Sequence, residues 1–338
     1  MLKTLLCQQL GIDYPIFSVG MGGGMAGPEL VAAVSNAGGC GVLGMGGLPA
    51  PYIRQQIQKL RTLTNKPFGV NIILPLLQEG QIETCLDEKI PILVLFWGDP
   101  QPYVEEAHRR GTKVFIQVGS VEEAQTAAAA GVDGIIAQGV EAGGHVKSTT
   151  SLSTVVPAVV EAVKPIPVIA AGGIANGRGV VAALSLGAQA VSMGTRFLCS
   201  EETLVSRAYK ERVTRSKAED TVYTLLFDIG WPNAAHRVLR NKEVNEWEAA
   251  GCPVPGKRPG EGTQNGTMQM ANTIVEMPRY GVFPPMPGFT GDIERTALYA
   301  GESCSLINDI KPAGEIVADI VREAERVLQE LGTQGAKR

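Results

Sequence analysis

Short runs of apolar residues alternate with alanine-rich, amphipathic stretches from about residue 14 to residue 200. Each run is continuous, rich in valine and isoleucine and flanked by glycine or proline, as expected of a strand that is buried on both faces. Eight such runs predict eight strands: Pro15–Gly20, Cys40–Leu43, Phe68–Ile73, Ile92–Trp97, Lys113–Val118, Gly134–Gln138, Pro167–Ala171 and Ala190–Met193.

Helices are predicted in the stretches between these runs. Strand and helix alternate eight times at intervals of about 20 to 30 residues, which favours a closed (β/α)8 TIM barrel over an open parallel sheet. We therefore predict an α/β protein whose barrel occupies residues 1–202. The predicted helices are Glu29–Ala37, Tyr52–Thr62, Val104–Arg110, Val121–Ala130, Leu152–Val163 and Gly179–Leu186.

The pattern changes after residue 202. Residues 203–300 begin with a basic, helix-like stretch, Ser206–Ala218, and continue with segments rich in proline and glycine. We interpret residues 203–300 as a smaller, loop-rich helical region that caps the top face of the barrel. Residues 301–338 contain an apolar stripe at helical spacing over Gly314–Leu331, which predicts a C-terminal helix that packs back on the barrel.

Composition and charge exclude several classes of protein. Hydrophobic residues make up 44% of the 338 residues and the net charge is −4, which together indicate a folded core and argue against a nucleic-acid-binding surface. No apolar run reaches the roughly 18 residues of a membrane helix, and the N-terminus lacks the features of a signal peptide. The six cysteines are far apart without a CxxC pair, so neither a disulfide scaffold nor a zinc site is expected. These features predict a cytoplasmic protein without a metal.

Glycine is abundant, at 41 residues, and clusters where the apolar runs end. The segment Gly22–Gly27 fits the GxGxxG pattern of dinucleotide-binding folds, but no acidic residue lies between Glu29 and Glu79 to bind a ribose. A tight turn also explains this segment, although it leaves the other glycine clusters unexplained. We therefore reject the dinucleotide site and interpret the glycines as part of a binding surface, where they let backbone approach a ligand.

Two later glycine turns are more specific. One, with Ala171, Gly172 and Gly173, ends the seventh run, and the other, with Met193, Gly194 and Thr195, ends the eighth. Loops after strands seven and eight of such barrels commonly bind phosphate. A phosphate-bearing cofactor at the mouth of the barrel is therefore expected.

The chain has three histidines, and one of them is a candidate catalytic residue. His108 lies among charged residues near the end of a predicted helix, so we expect it on a solvated face, whereas His236 lies in the capping region and could line a pocket. His145 directly follows the sixth strand, after Gly143 and Gly144, on the face of a barrel where catalysis occurs. Because imidazole exchanges a proton near neutral pH, His145 is a candidate general base.

The segments YPIFSVGMGGG, FGVNI, AQGVEAGGH, VIAAGGIANG and SMGTRFL, in that order, resemble the nitronate monooxygenase family, which is related to FMN-dependent enoyl-acyl-carrier-protein reductases. The resemblance covers roughly residues 1–200, with QGVEAGGH as its most specific motif. It implies an FMN-dependent TIM-barrel enzyme in which His145 is the base. The FMN contacts that it implies are Met21, Gly22, Asn71, Gln138, Gly143, Gly144, Ala171, Gly172, Gly173, Ser192, Met193, Gly194 and Thr195.

The chemistry of the strand ends agrees with a flavin. Asn71 and Gln138 are amides at the ends of apolar strands and suit the polar edge of an isoalloxazine ring, and Gln117 is a candidate on the same reasoning alone. Where many members of the family have a small residue and glycine after the histidine, this chain has Val146 and Lys147, which brings a cation near the site.

The resemblance implies oxidation of alkyl nitronates or nitroalkanes by O2 to carbonyl compounds and nitrite. The first alternative is an NAD(P)H-dependent reductase of quinones or enoyl thioesters on the same scaffold. A flavin-binding protein without turnover and a barrel that binds phosphorylated sugars without flavin are further alternatives.

Overall fold

The computed structural model describes residues 2–270 and 273–335. In chain order the strands are β1 (Ile16–Ser18), β2 (Gly41–Gly44), β3 (Phe68–Ile73), β4 (Ile92–Phe96), β5 (Lys113–Val118), β6 (Gly134–Gln138), β7 (Gly144–His145), β8 (Val168–Ala171), β9 (Ala190–Met193), β10 (Thr221–Thr224), β11 (His236–Leu239), β12 (Gln264–Met270), β13 (Thr273–Pro278) and β14 (Phe289–Gly291). The α-helices are α1 (Leu5–Leu10), α2 (Pro28–Asn36), α3 (Ala50–Leu63), α4 (Gln81–Asp87), α5 (Gln101–Arg109), α6 (Val121–Ala129), α7 (Leu152–Val163), α8 (Gly177–Ser185), α9 (Thr195–Leu198), α10 (Arg207–Thr214), α11 (Lys242–Ala249) and α12 (Ala313–Gly335). Short 3₁₀ helices lie at Leu74–Leu76, Ala218–Asp220, Ile293–Arg295 and Glu302–Leu306.

Eight parallel strands form the barrel. Their order is β1-β9-β8-β6-β5-β4-β3-β2, and each neighbouring pair is hydrogen-bonded. The sheet closes between β1 and β2, where the Cys40 N–H donates to the Ile16 carbonyl at 2.8 Å and the Ser18 N–H donates to the Cys40 carbonyl at 3.1 Å. Every predicted apolar run overlaps one of these strands, so the predicted TIM barrel is confirmed.

Apolar side chains fill the barrel interior below the site. Phe17, Val94, Phe115 and Ile136 point inward and pack together, and α1 closes the lower end with Leu6. Because side chains alternate along a strand, the next inward positions toward the upper end are Gln117 on β5 and Gln138 on β6. The upper, carboxyl-terminal end of the barrel is therefore the place where polar side chains face the axis.

The predicted helices around the barrel are present, with their ends shifted by at most three residues. Helix α4 was not predicted, because only a few of its side chains, such as Ile82 and Leu86, are apolar and buried. The C-terminal helix α12 packs on α8 and α2, so closely that a side chain on Gly177 would overlap the α12 backbone. The predicted C-terminal helix thus packs back on the barrel, but the last two residues of its apolar stripe, Leu328 and Leu331, are 37% and 54% exposed.

The region after the barrel contains more strand than predicted. It holds helix α10 inside the predicted basic stretch and helix α11, but also five short strands in two antiparallel sheets. The polar composition of strands such as β12 hides them from a pattern analysis. One of these sheets includes β7, the segment with His145, which pairs with β11 so that His145 lies opposite His236.

Within the described ranges, no helix combines the length and the apolar character needed to cross a membrane.

Candidate active site

A cavity of about 420 Å³ opens at the carboxyl-terminal end of the barrel strands. It lies above the apolar interior and below segments of the region after residue 202. All the residues predicted for the site line this one cavity: Met21, Gly22, Asn71, Gln117, Gln138, Gly143, Gly144, His145, Ala171, Gly172, Gly173, Ser192, Met193, Gly194 and Thr195.

The two later glycine turns lie side by side, because β8 and β9 are paired with Ala171 opposite Ser192. Gly172 has φ +102° and Gly173 has φ +68°, a left-handed conformation that favours glycine. Within the described part of the chain, no hydrogen bond is made by the backbone N–H groups of Gly172, Gly173, Gly194 and Thr195. The turns thus present four unpartnered donors to the cavity, and such donors suit a phosphate group.

The three amide side chains have different surroundings, and Asn71 lies within β3, two residues before its end, instead of at the strand end that the sequence predicted. The Asn71 Nδ2 donates to the Val94 carbonyl at 3.1 Å, which fixes the side chain across to β4. The Gln138 Nε2 donates to the His145 carbonyl at 3.0 Å, and its Oε1 accepts from the Lys147 N–H at 3.2 Å. Gln138 therefore holds the histidine loop in place. The side-chain amide of Gln117 forms no hydrogen bond with any described residue, so it is available to a ligand.

The loop between β6 and α7 is fixed by close packing of its backbone. A side chain on Gly143 would overlap Gly301, and one on Gly301 would overlap the backbone of Glu141 and Gly143. The Glu141 carboxylate accepts from the Leu152 N–H at 3.0 Å and so caps α7. Gly143 is thus required for contact with the segment after the barrel, in addition to its place in the cavity wall.

His145 lies in an aromatic environment. Its ring packs on the indole of Trp231, with centroids 4.1 Å apart at an angle of 30°, and the rings of Tyr299 and Trp97 lie 5.5 Å and 6.3 Å away. Nε2 of His145 is buried without a hydrogen-bond partner among the described residues. Burial, with a smaller contribution from His236, lowers the pKa of His145 to about 3, so the ring is neutral at physiological pH.

The other two histidines have different surroundings. His236 does not line the cavity but lies behind His145, fully buried, with ring centroids 5.5 Å apart. Its Nε2 accepts from the Phe227 N–H at 3.2 Å, so Nδ1 carries the proton and donates to the Ala234 carbonyl at 2.9 Å. His236 is therefore held neutral. His108, as expected, is half-exposed on its helix, where it contacts Asp133.

One wall of the cavity was missed by the sequence analysis. It comes from the region after residue 202 and contains the aromatic side chains of Trp231, Phe283 and Tyr299. Aromatic residues make up only 5% of the chain, and two of these three lie in the loop segments GWPN and GVFPP. An aromatic side chain inside such a turn was the signal that could have indicated a ligand-facing position.

The segment that carries Trp231 is anchored by a buried arginine. The guanidinium of Arg258 donates to the Leu226 carbonyl at 3.0 Å and to the Asp228 carboxylate at 2.7 Å, and it also pairs with Glu261. It stacks on Tyr280, with 4.3 Å between its central carbon and the ring centre. Arg258 therefore fixes the segment that packs Trp231 on His145.

Comparisons with known proteins agree on one family. The family model described as nitronate monooxygenase matches residues 3–82 and 77–323. A probable nitronate monooxygenase of Staphylococcus aureus is 31% identical over 97% of this chain and 99% of its own length. A (3aS,4S,5R,7aS)-5-hydroxy-7a-methyl-1-oxo-octahydro-1H-indene-4-carboxyl-CoA dehydrogenase of Mycobacterium tuberculosis is 32% identical over 97% of this chain and 98% of its own.

Solved structures with this fold include FabK from Thermotoga maritima, with a TM-score of 0.83 and 34% identity over 99% of this chain and 100% of that one. A nitroalkane oxidase from Streptomyces ansochromogenes has a TM-score of 0.77 and 28% identity over 96% of this chain and 99% of its own.

Proposed function

The chain belongs to the nitronate monooxygenase family, and from that premise we propose that it oxidises alkyl nitronates and nitroalkanes with O2 to carbonyl compounds and nitrite, using FMN. It is a flavin-dependent oxidoreductase. The observation that carries the proposal is the position of His145, whose ring has no hydrogen-bond partner among the described residues and faces the cavity that also contains the unpartnered glycine turns.

The residues of the cavity fit an FMN. The free N–H groups of Gly172, Gly173, Gly194 and Thr195 would bind its phosphate, and Asn71, Gln117 and Gln138 would face the polar edge of its ring. The remaining predicted contacts are Met21, Gly22, Gly143, Gly144, Ala171, Ser192 and Met193. A bound flavin supplies an acceptor for the electrons of the substrate and a donor of electrons to O2.

His145 performs the proton chemistry in this proposal. Its Nε2 is buried, so Nδ1 is the nitrogen that we assign to the substrate. A neutral nitroalkane loses a proton from its α-carbon to this nitrogen, and the resulting imidazolium and nitronate stabilise each other in a site of low polarity. The aromatic wall of Trp231 and Tyr299 excludes water from the pair.

The identity of the cofactor is directly testable. We expect the purified protein to be yellow and to contain one non-covalent FMN per chain, because the sequence has phosphate-type turns at one site and no second nucleotide-binding motif that FAD would need. Mass spectrometry of the cofactor released by heat measures this. A colourless protein that cannot be reconstituted with FMN contradicts the proposal.

Substitutions in the two glycine turns should weaken FMN binding. In Gly194→Ala the backbone is not strained, because φ is −95° and the new methyl group meets only Val19, at 3.1 Å. Since that methyl group enters the cavity, we expect FMN to bind about 10-fold more weakly or worse, which is about 1.4 kcal/mol. In Gly172→Ala the backbone strain is about 1–3 kcal/mol, and the methyl group would meet Ala142 and the Gly139 carbonyl at 3.1 Å. The turn must therefore shift, and we expect FMN to bind more weakly to this variant as well.

Flavin content after gel filtration and flavin fluorescence titration measure both variants. Gly111→Ala is the matched control: it has φ +78° and open space around it, outside the cavity, so it tests left-handed strain alone and should keep its flavin. Full flavin occupancy of both cavity variants at sub-micromolar protein would remove the phosphate assignment.

A reductase is the second candidate function, and two observations favour it. The relative from Mycobacterium tuberculosis is a dehydrogenase of a CoA thioester, and the cavity wall is aromatic and apolar, as a quinone or an enoyl thioester requires. Anaerobic mixing with NADH, NADPH or the nitronate of 2-nitropropane separates the two candidates. We expect the nitronate to bleach the flavin and the pyridine nucleotides not to do so, whereas rapid bleaching by NADH or NADPH selects the reductase.

We also propose three functional units and a cytoplasmic location. Residues 1–202 bind the flavin, residues 203–300 shape the substrate side of the cavity, and residues 301–338 brace the barrel. The cysteines are free thiols, which supports a reducing compartment.

A further inference from the structure

Lys147 lies where three loops at the carboxyl-terminal end of the barrel meet. Its backbone N–H donates to Gln138 Oε1, at the end of β6, at 3.2 Å. The loop after β5 packs directly on it, because a side chain on Gly119 would overlap Lys147. Its ammonium group pairs with Glu123 in the first turn of α6 and lies 5.6 Å from the ring centre of Trp97, which follows β4. Lys147 thus connects the loops after β4, β5 and β6.

The carboxylate that pairs with Lys147 is itself fixed. Oε2 of Glu123 accepts from the Gly119 N–H at 2.8 Å, while Oε1 contacts the ammonium group. This ammonium group lines a pocket separate from the active-site cavity, and the other charged residues of that pocket are Asp99, Glu122 and Glu123. To enter the active-site cavity, the ammonium group would have to leave all three carboxylates. Its present position is therefore the favoured one.

Trp97 has a backbone conformation that a bulky residue rarely adopts. Its φ of +63° lies in the left-handed region, and such a residue stays there only where its surroundings hold it. The indole packs against the rings of Phe96 and Trp231, with centroids 5.3 Å and 5.2 Å away, and its edge-to-face contact with His145 spans 6.3 Å. The ammonium group of Lys147 over the indole adds a cation–π contact.

Trp97 lies between the active-site cavity and the pocket that Lys147 lines. It contacts His145, which lines the cavity, and Lys147, which lines the pocket. The two are neighbours, since Gln117 lines both. The pocket is open to solvent, and the exposed side chain of Asp99 lies at its rim. If the indole moved away, water of the pocket would reach the imidazole from this side.

We infer that Lys147 is a positioning residue for the reaction. With Glu123 as its anchor, its ammonium group keeps the indole of Trp97 packed beside His145 and so keeps the water of the pocket away from the base. Since many members of the family have glycine at this position, the arrangement is a property of this chain. The inference rests on the proposed function only in taking His145 as the base.

Chemical modification of the histidines tests this without any substrate. Diethyl pyrocarbonate adds a carbethoxy group to a neutral imidazole nitrogen that it can reach, and the chain has three histidines, which peptide mass spectrometry distinguishes. At about pH 8 an ordinary imidazole is neutral, so the rate reports access and not charge.

The first variant removes the cation from the flavin-loaded protein. Lys147→Met keeps the apolar length of the side chain, and we expect its His145 to be modified about 5-fold faster than that of the wild type, which corresponds to the loss of one cation–π contact at a partly exposed site. His108 is half-exposed and far from this loop, so it should be modified at one rate in every variant and serves as the internal standard.

Two further variants show whether the effect depends on the ion pair and the cation. Glu123→Gln keeps an acceptor for the Gly119 N–H but removes the charge that anchors Lys147, so it should increase the rate as well, and the double variant should stay within about 2-fold of Lys147→Met. Lys147→Arg keeps a cation over the indole and should restore the wild-type rate within about 2-fold. Lys59→Met is the matched control, because it removes an ammonium group from a pair with Glu29 on an outer helix, and it should not change the rate.

Steady-state kinetics give a second readout. A base that is out of position slows only the removal of the α-carbon proton. We therefore expect Lys147→Met to lower kcat on a neutral nitroalkane about 5-fold, to keep kcat on the preformed nitronate within about 2-fold, and to keep its flavin. Lys147→Arg should recover the lost turnover.

Any of five results would overturn the inference: an unchanged rate of His145 modification in Lys147→Met, no increase in Glu123→Gln, the same increase in Lys59→Met, no recovery in Lys147→Arg, or equal losses of kcat on nitroalkane and nitronate. Because the modification needs no nitroalkane, a protein that shows the expected rates of modification but does not oxidise nitroalkanes contradicts the proposed function and not this inference.

Discussion

We expect His145→Ala to lower the turnover of a neutral nitroalkane by about 10²–10⁴-fold, the usual contribution of a positioned general base. The preformed nitronate of the same compound needs no deprotonation, so its kcat should fall far less. The KM of the nitronate should rise, because the variant lacks the imidazole that stabilises this anion. Flavin content should not change, since no contact with the phosphate is assigned to the imidazole.

Steady-state kinetics of the wild type and the variant on both forms of the substrate measure these effects. His108→Ala is the matched control, because that histidine is half-exposed and pairs with Asp133 far from the cavity wall. Its kinetics should stay within about 2-fold of the wild type. Equal losses of kcat on nitroalkane and nitronate would show that His145 is not the base.

Arg258→Ala is expected to reduce both stability and activity. The Arg258 side chain is only 3% exposed, and its removal leaves the carboxylates of Asp228 and Glu261 without their partner. Breaking a buried ion pair costs about 3–5 kcal/mol, and because these carboxylates still contact water we expect about 3 kcal/mol. Denaturant unfolding measures this loss, and Arg326→Ala, which removes an exposed pair with Glu330, should change stability by less than about 0.5 kcal/mol.

The same substitution should change the pH dependence of the reaction. In the wild type the pKa of His145 is lowered to about 3, so the base stays available throughout the neutral and mildly acidic range. When the segment with Trp231 loosens and water reaches the ring, the pKa rises toward its ordinary value of about 6.5. We therefore expect activity of Arg258→Ala on a neutral nitroalkane to fall as the pH drops below about 6.5. A variant that is less stable but keeps the wild-type pH profile would show that Arg258 does not position Trp231.

The barrel could be predicted because each of its strands is an uninterrupted apolar run. Burial on both faces requires such a run, and a run is a local property of the sequence. The glycine turns could be predicted for the same reason, since each directly follows a strand whose end is visible. Asn71 could be predicted because it is a polar residue within an otherwise apolar strand. Helix α4 was not predicted, because two of its five buried positions, Gln81 and Thr84, carry polar side chains, so its buried face does not appear as an apolar stripe.

The aromatic wall could not be predicted from such local patterns. Trp231 and Tyr299 reach His145 from more than 80 residues along the chain. Gly143 was assigned to the flavin by resemblance, and its contact with Gly301 depends on two backbones meeting, which no property of either segment shows alone. The pairing of His145 with His236 across β7 and β11 is non-local in the same sense.

Strand β7 follows a barrel strand but pairs with β11 of the region after residue 202. This pairing limits which segments can be exchanged between members of the family to make a chimera. Because β7 is a strand of the sheet that contains β11, the loop after β6 has its register set by residues 236 and 237. A chimera that takes residues 203–300 from another member of the family therefore receives a foreign partner for its own histidine loop. To keep the register and the Gly143–Gly301 contact, residues 139–147 and 299–302 must be exchanged together with the capping region. The unit of exchange in this enzyme is thus discontinuous in sequence, and it crosses the boundary at which the barrel ends.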